Sequence, residues 1–173
     1  MKLLIGYFGP YLSVKKNISS RVIKKLKSVH CPKILFPVRF NKKIFLKPLH
    51  QYKPNIYLIL AHNPKGKYLQ IELRGVNLKT GMNNLSTLYP IKKGGKKYEV
   101  SCFKPRLIGK MKYSTNAGRY VCNYSIYTVL REIRVKKLKT KLCFLHIPGS
   151  FKINRASDKI KIFITKLKPH SES

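Results

Sequence analysis

The chain has 173 residues and sets 38 Lys and Arg against five Asp and Glu, a formal charge of +33. Such an imbalance repels itself in the compact state unless a polyanion neutralises it, so composition alone argues against an ordinary soluble enzyme and for a nucleic-acid partner. Apolar residues at 43%, with eleven Tyr and eight Phe, exclude a disordered basic tail and suffice for the core of one domain.

Residues 3–8 are apolar and read as a short buried strand, closed by Gly9-Pro10. Ser19 or Ser20 is placed to cap a helix that carries Val22, Ile23 and Leu26 at helical spacing. A second strand is expected over 33–38, a short helix over 41–52, and a third strand over 56–61, apolar throughout as parallel central strands are. Residues 68–76 alternate enough to form a fourth strand, and 110–115 lead into the break Asn116-Ala117-Gly118. A helix then runs from near Cys122 to about Arg134, and a last central strand covers 142–147. Residues 160–167 are too few for periodicity to decide between a short helix and a strand. The alternation of elements predicts an α/β fold: a single-domain three-layer sandwich with a largely parallel central sheet over residues 1–150, and a basic C-terminal extension over 151–173.

Cys31, Cys102, Cys122 and Cys143 fall at no metal-ligand spacing, so no metal is expected and reduced thiols are the simpler reading. The neighbours His30 and Cys31 are a bare pair of the kind that packing usually explains. No phosphate-binding glycine loop is present, and Gly94-Gly95, flanked by Lys pairs, reads as a flexible basic turn rather than a nucleotide cradle. No cofactor is expected. No apolar run approaches the length of a membrane span, and no signal or transit peptide is expected before the first strand.

Three side chains carry the elements of nucleophilic chemistry. Cys122 opens a helix, where the amides of the first turn favour a thiolate. His146 ends an apolar strand, at the carboxyl edge where functional groups of parallel sheets gather. Glu72, one of only five acids, is available to orient an imidazole as the third member of such a set. By spacing alone each also has an ordinary structural explanation.

The wording of the segments goes further. Residues 114–123 (Ser-Thr-Asn-Ala-Gly-Arg-Tyr-Val-Cys-Asn) resemble the S-x-[SD]-A-G-x-[FY]-[VL]-C-N motif of pyroglutamyl peptidase I, a cysteine peptidase family. Residues 144–148 (Phe-Leu-His-Ile-Pro) are similar to the family's F-[IL]-H-[VI]-P, and 71–77 (Ile-Glu-Leu-Arg-Gly-Val-Asn) to its E-R-x-A-x-N. The opening 3–17 matches its G-F-[DE]-P-F-G-G…N-P-[ST], retaining Phe8, Pro10 and Asn17, with 35–38 resembling L-P-V and 53–56 resembling K-P-D-I. The resemblance covers roughly residues 1–148. It implies a pyroglutamyl-peptidase-like fold, Cys122, His146 and Glu72 as nucleophile, proton shuttle and orienter, and Phe8, Tyr11 and Asn17 in a substrate pocket. Tyr7, Gly9, Tyr11 and Leu12 depart from the family's opening. Between Asn77 and Leu85 the chain is shorter by roughly twenty residues by that same comparison, and no arginine stands where 79–84 replace D-A-R-I-P-D-N. The family's final helix is expected to be mostly lost.

Charge and resemblance point different ways, and on the sequence the charge weighs more. Thirty of the cations are Lys, point charges suited to phosphate backbones rather than to base edges. The favoured expectation is therefore a repurposed peptidase fold acting as an RNA-binding component of a ribonucleoprotein. The particle expected is a mitochondrial ribosome, with ribosomal RNA and neighbouring ribosomal proteins as partners and Glu72, Cys122 and His146 as relics. RNA contacts are expected at Lys24, Lys25 and Lys27, at Lys92, Lys93, Lys96 and Lys97, and at Lys136, Lys137, Lys139 and Lys141. The alternative is an active cysteine exopeptidase that removes N-terminal pyroglutamate from a small peptide substrate, in the cytoplasm.

Overall fold

The structure, a computed structural model, describes residues 1–11, 17–81 and 84–167. In chain order the elements are β1 (Leu3–Phe8), α1 (Ile18–Lys25), β2 (Lys33–Phe36), α2 (Lys42–Tyr52), β3 (Ile56–Asn63), β4 (Gln70–Glu72) and β5 (Arg74–Val76). Next come β6 (Lys79–Thr80), β7 (Leu88–Tyr89), β8 (Tyr98–Val100), β9 (Lys112–Ser114), α3 (Val121–Val135), β10 (Lys141–Pro148) and α4 (Ile153–Lys166). The main sheet has six strands in the order β2-β1-β3-β10-β4-β9. Its first four run parallel, β4 is antiparallel to β10, and β9 is parallel to β4.

The central strands are apolar along most of their length because both faces are covered, with His62 and Asn63 at the end of β3 and Lys141 and His146 in β10 as the polar positions. In β3, Ile56, Leu58 and Leu60 enter the core under α1 and α4, while Tyr57, Ile59 and Ala61 enter the core under α2 and α3. In β10, Cys143, Leu145 and Ile147 take the first side, and Leu142 and Phe144 the second. This period of two directs His146 toward α3. The result is the three-layer α/β sandwich expected from the alternation of elements.

Several local details differ from the sequence reading. The cap of α1 is Asn17, whose Oδ1 accepts from the Ser19 N–H at 3.0 Å, rather than Ser19 or Ser20. Ser19 is spent elsewhere, its buried hydroxyl donating to the Phe8 carbonyl at 3.1 Å and to Asn17 Oδ1 at 2.8 Å. The single strand expected over 68–76 is two strands in two sheets. The chain changes sheet at Leu73, whose N–H donates to the Ser114 carbonyl and whose carbonyl accepts from the Ser101 N–H, each at 2.8 Å.

The C-terminal segment carries a 14-residue helix that begins well before residue 160, where the last family helix was expected to be largely missing. Ala156, Ile160, Phe163 and Ile164 of α4 lie in the same core as α1, which accounts for its length: the buried face exists only against that partner. The turn at Gly94-Gly95 is anchored rather than loose. The Asn77 amide donates to the Lys92 carbonyl and accepts from the Lys92 N–H, both at 2.8 Å, and the Tyr127 hydroxyl donates to the Lys96 carbonyl at 2.9 Å.

Candidate active site

The carboxyl ends of β1, β3 and β10 meet the start of α3 around a cavity of about 260 Å³. That volume is below the roughly 300–1,000 Å³ of drug-sized sites, so it suits one small ring. Phe8, Tyr11, Asn17, Cys122 and His146 all line it. Glu72 stands one layer further in, across from Phe144 in the β4 and β10 register, and Ile71 on the opposite face fixes its direction.

His146, 5% exposed, donates from Nδ1 to Oε1 of Glu72, 2% exposed, at 2.7 Å. That bond leaves Nε2 unused by Glu72, and Cys122 lines the same cavity as His146. Burial alone would lower the imidazole's proton affinity. The hydrogen bonds and charges of Cys122 and Glu72 outweigh it and hold His146 up at about 9. Three residues distant in the sequence are thus brought together, with the thiol at the cavity and the carboxylate bonded to the imidazole behind. Glu72 Oε2 is buried with no hydrogen-bond partner among the described residues, so Oε1 alone holds the imidazole.

The thiol is delivered by local geometry. Cys122 is the second residue of α3, beside first-turn amides that have no intrahelical acceptor. Gly118 in the preceding loop has φ +74°, a conformation that favours glycine. Asn123, 1% exposed, accepts from the Val76 N–H at 2.8 Å and donates to the carbonyls of Val76 at 2.9 Å and Leu78 at 2.7 Å. It ties the first turn of α3 to β5, the strand just beyond Glu72. Gly75 makes the tie possible, since a Cβ there would lie 2.5 Å from the Tyr127 nitrogen and 2.6 Å from its Cα. Asn123 stood in the cysteine motif without an assigned role, and only the contact with Val76 reveals one.

The pocket residues divide into wall and brace. Phe8 packs edge-on against Phe36 with centroids 5.8 Å apart. The Tyr11 phenol is pushed up by burial, then by Cys122 and Tyr120, and so remains a neutral donor. Asn17 donates to the Gly9 carbonyl at 2.9 Å, which makes it a brace of the opening loop as well as part of the lining. Leu12 and Met82-Asn83, departures noted in the sequence, lie outside the described residues.

His62 was not anticipated. It lines the cavity, stacks edge-on to Tyr11 at 6.3 Å, and has both ring nitrogens buried without a partner among the described residues. Burial, then the charge on His146, lower its proton affinity. No cluster of three or more His, Cys, Asp or Glu among the described residues is arranged to hold a metal ion. No helix among them is long and apolar enough to cross a membrane.

The eleven lysines expected to contact RNA are all exposed and lie apart from this cavity, at the end of α1 and just beyond it, on the 92–97 turn and at 136–141. Comparison with known proteins bears on them directly. The family model for pyroglutamyl peptidase matches residues 104–160, which include Cys122 and His146. Pyrrolidone-carboxylate peptidase 2 of Caldanaerobacter subterraneus subsp. tengcongensis is 26% identical over 170 residues, covering 86% of this chain and 81% of the relative. The pyrrolidone-carboxylate peptidase of Thermococcus onnurineus is 25% identical, covering 86% and 84%. Among solved structures, pyroglutamyl peptidase I from Bacillus amyloliquefaciens superposes with a TM-score of 0.84 at 17% identity, covering 98% of this chain and 95% of that one. A variant of pyrrolidone carboxyl peptidase from Pyrococcus furiosus gives 0.81 at 22%, covering 96% and 97%.

These findings overturn the expectation of a ribosomal, RNA-binding component with ribosomal RNA and proteins as partners. The relatives match along most of their length as peptidases, and none of these matches is to a ribosomal protein. A mitochondrial location loses its basis with that expectation. The physical reason for the error is that net charge sums over the whole surface. It gives the sign of the long-range field, whereas the partner is decided by a few buried side chains. By its cysteine motif, its relatives and its fold, this chain is similar to the pyroglutamyl peptidase family of cysteine peptidases, from which it differs by its divergent sequence and strongly basic composition.

Proposed function

We propose that this chain is a working exopeptidase that removes an N-terminal pyroglutamyl residue from peptides. The observation that carries the reading is the buried hydrogen bond between Glu72 and His146 with Cys122 lining the same cavity, and the imidazole held protonated. Most of its neighbours in the motif could be kept for packing. A buried carboxylate set behind a buried imidazole has no packing value, because burying such groups is costly.

In this mechanism the apolar wall of Phe8 and Tyr11 receives the lactam ring. The Cys122 sulfur attacks the scissile carbonyl carbon, and the carbonyl oxygen gains the charge. First-turn amides of α3, the Cys122 N–H among them, are the donors available to that oxygen. His146 passes its Nε2 proton to the departing amine, and the C–N bond breaks to leave a pyroglutamyl thioester. Water then attacks the thioester, giving a proton to His146 and releasing pyroglutamate and the thiolate. Glu72 keeps the ring oriented and stabilises its cationic form throughout. The four free cysteines suit a reducing compartment, which agrees with a cytoplasmic setting.

Pyroglutamyl-aminomethylcoumarin tests the reading through release of the fluorophore. Turnover by the purified protein, lost in Cys122→Ala, is the expected result. A folded protein that releases no fluorophore, or a Cys122→Ala variant as active as the parent, overturns it.

A further inference from the structure

Resting on that proposed function, a second specificity lies at the mouth of the cavity, where the residue next to the pyroglutamyl group sits. Arg119 is an exposed residue of the cavity lining, three positions before the nucleophile. Its backbone is fixed by the β6 and β7 hairpin, the Thr80 N–H donating to the Arg119 carbonyl at 2.9 Å. The same hairpin brings Lys79, whose Nζ lies 4.8 Å from the centre of the Phe40 ring. Phe40 in turn packs edge-on against Tyr120 of the cavity lining at 5.4 Å. Two cations therefore stand on one side of the opening, and among the described residues neither makes an ion pair.

Among the described residues no acid lines the cavity. Of the chain's five acids, Glu72 is bound to His146, Glu99 to Arg134 and Glu132 to His50. Asp158 sits on α4, on the far side of the sheet from α3, and Glu172 lies outside the described residues. Among the described residues the lining is thus neutral but for Arg119 and His146, and a leaving peptide with a basic side chain next to the scissile bond meets like charge at Arg119. A carboxylate there meets a guanidinium able to hold it through two parallel hydrogen bonds.

We infer that the preferred substrates are acidic peptides, with Glu or Asp directly after the pyroglutamyl residue, and that Arg119 is the specificity-determining residue that reads them. The +33 charge then works as a steering field that raises the encounter rate of anionic substrates and weakens with salt.

The test compares kcat/KM for pyroglutamyl-Glu-Glu and pyroglutamyl-Lys-Lys, at low and at physiological ionic strength. The acidic peptide is expected to lead by about tenfold at low salt, with the lead shrinking as salt is added. In Arg119→Gln the lead falls to about twofold, whereas in Lys24→Gln, remote from the cavity, it persists. An acidic-to-basic ratio of one or less, a ratio indifferent to salt, or equal effects of the two substitutions overturns the inference.

If no peptide is turned over, the proposed activity has failed, and binding separates the two claims. Fluorescent forms of both peptides and of acetyl-Ala-Glu-Glu are titrated into Cys122→Ala and tracked by anisotropy. Tighter binding of pyroglutamyl-Glu-Glu than of both others supports the inference. Equal binding of the acetylated control overturns it, since the attraction then belongs to the surface as a whole.

Discussion

The cavity at the carboxyl edge of the sheet and the lysine-rich turns at 92–97 and 136–141 handle charge in opposite ways. At the cavity one imidazole in the wall and one carboxylate behind it, both almost wholly buried, are joined at 2.7 Å, and a single thiol lines the same cavity. Along the two turns eight lysines stand in solvent, and among the described residues none of them makes an ion pair. The surface lysines dominate every sum over the sequence, yet each is replaceable. The buried pair adds nothing to the net charge when both partners are ionised, yet the proposed chemistry rests on it.

The contrast can be broken most sharply at the thiol. Cys122→Ala is expected to lower pyroglutamyl turnover by roughly 10⁴-fold or more while leaving the melting temperature close to that of the parent, measured by fluorophore release and calorimetry.

Glu72→Gln comes next, with a loss of kcat of roughly 10²–10⁴-fold, because a neutral amide no longer supports the imidazolium. It also shifts the pH profile. In the parent, His146 titrates near 9 rather than at its ordinary 6.5, so activity that needs the imidazolium holds through neutral pH and falls as pH rises through about 9. Removing the carboxylate takes away one of the groups that raise the value, and the alkaline limb moves to lower pH. The same shift bears on stability. A pKa raised by folding stabilises fully below 6.5 and loses that contribution as pH climbs through about 9, which melting temperatures across this window will register.

Asn123→Ala removes three buried hydrogen bonds to Val76 and Leu78. A stability loss of about 2–4 kcal/mol is expected in denaturant titrations. At temperatures where the variant stays folded, kcat should fall more than KM rises, since the thiol is displaced while the ring pocket remains.

The smallest effect belongs to the surface. Exchanging Lys92, Lys93 and Lys96 together for Gln should change stability by less than about 0.5 kcal/mol per site, toward stabilisation as self-repulsion is relieved. Turnover of an uncharged pyroglutamyl substrate should stay as it is.

What the sequence revealed depended on how local the cause was. The strands that end in Phe8, Asn63 and Pro148 were legible, to within two residues at their ends, because both of their faces are buried and most of their residues are apolar. Asn41, which caps α2 by accepting from the Lys43 N–H at 3.0 Å, was legible as the first residue of a helical pattern. The change of sheet at Leu73 was hidden, because its partners Ser101 and Ser114 are distant in sequence. So was the start of α4, whose apolar face is meaningful only against α1. At the site, Glu72, Cys122 and His146 could be named through a family resemblance, whereas His62, Arg119 and the bracing role of Asn123 depend on which strand ends meet. The partner was misjudged because thirty-eight cations outvoted three residues in a sum that takes no account of position.

Gly75 shows how narrowly the design is constrained. Strand β5 passes so close to α3 that even a methyl group would have to push the helix aside. The start of that helix carries the sulfur, so the reach from nucleophile to imidazole is gauged by the absence of an atom several residues from either. An alanine at this position would act like a shim under one end of a lever: the fold could survive the insertion, and the reacting pair would no longer meet.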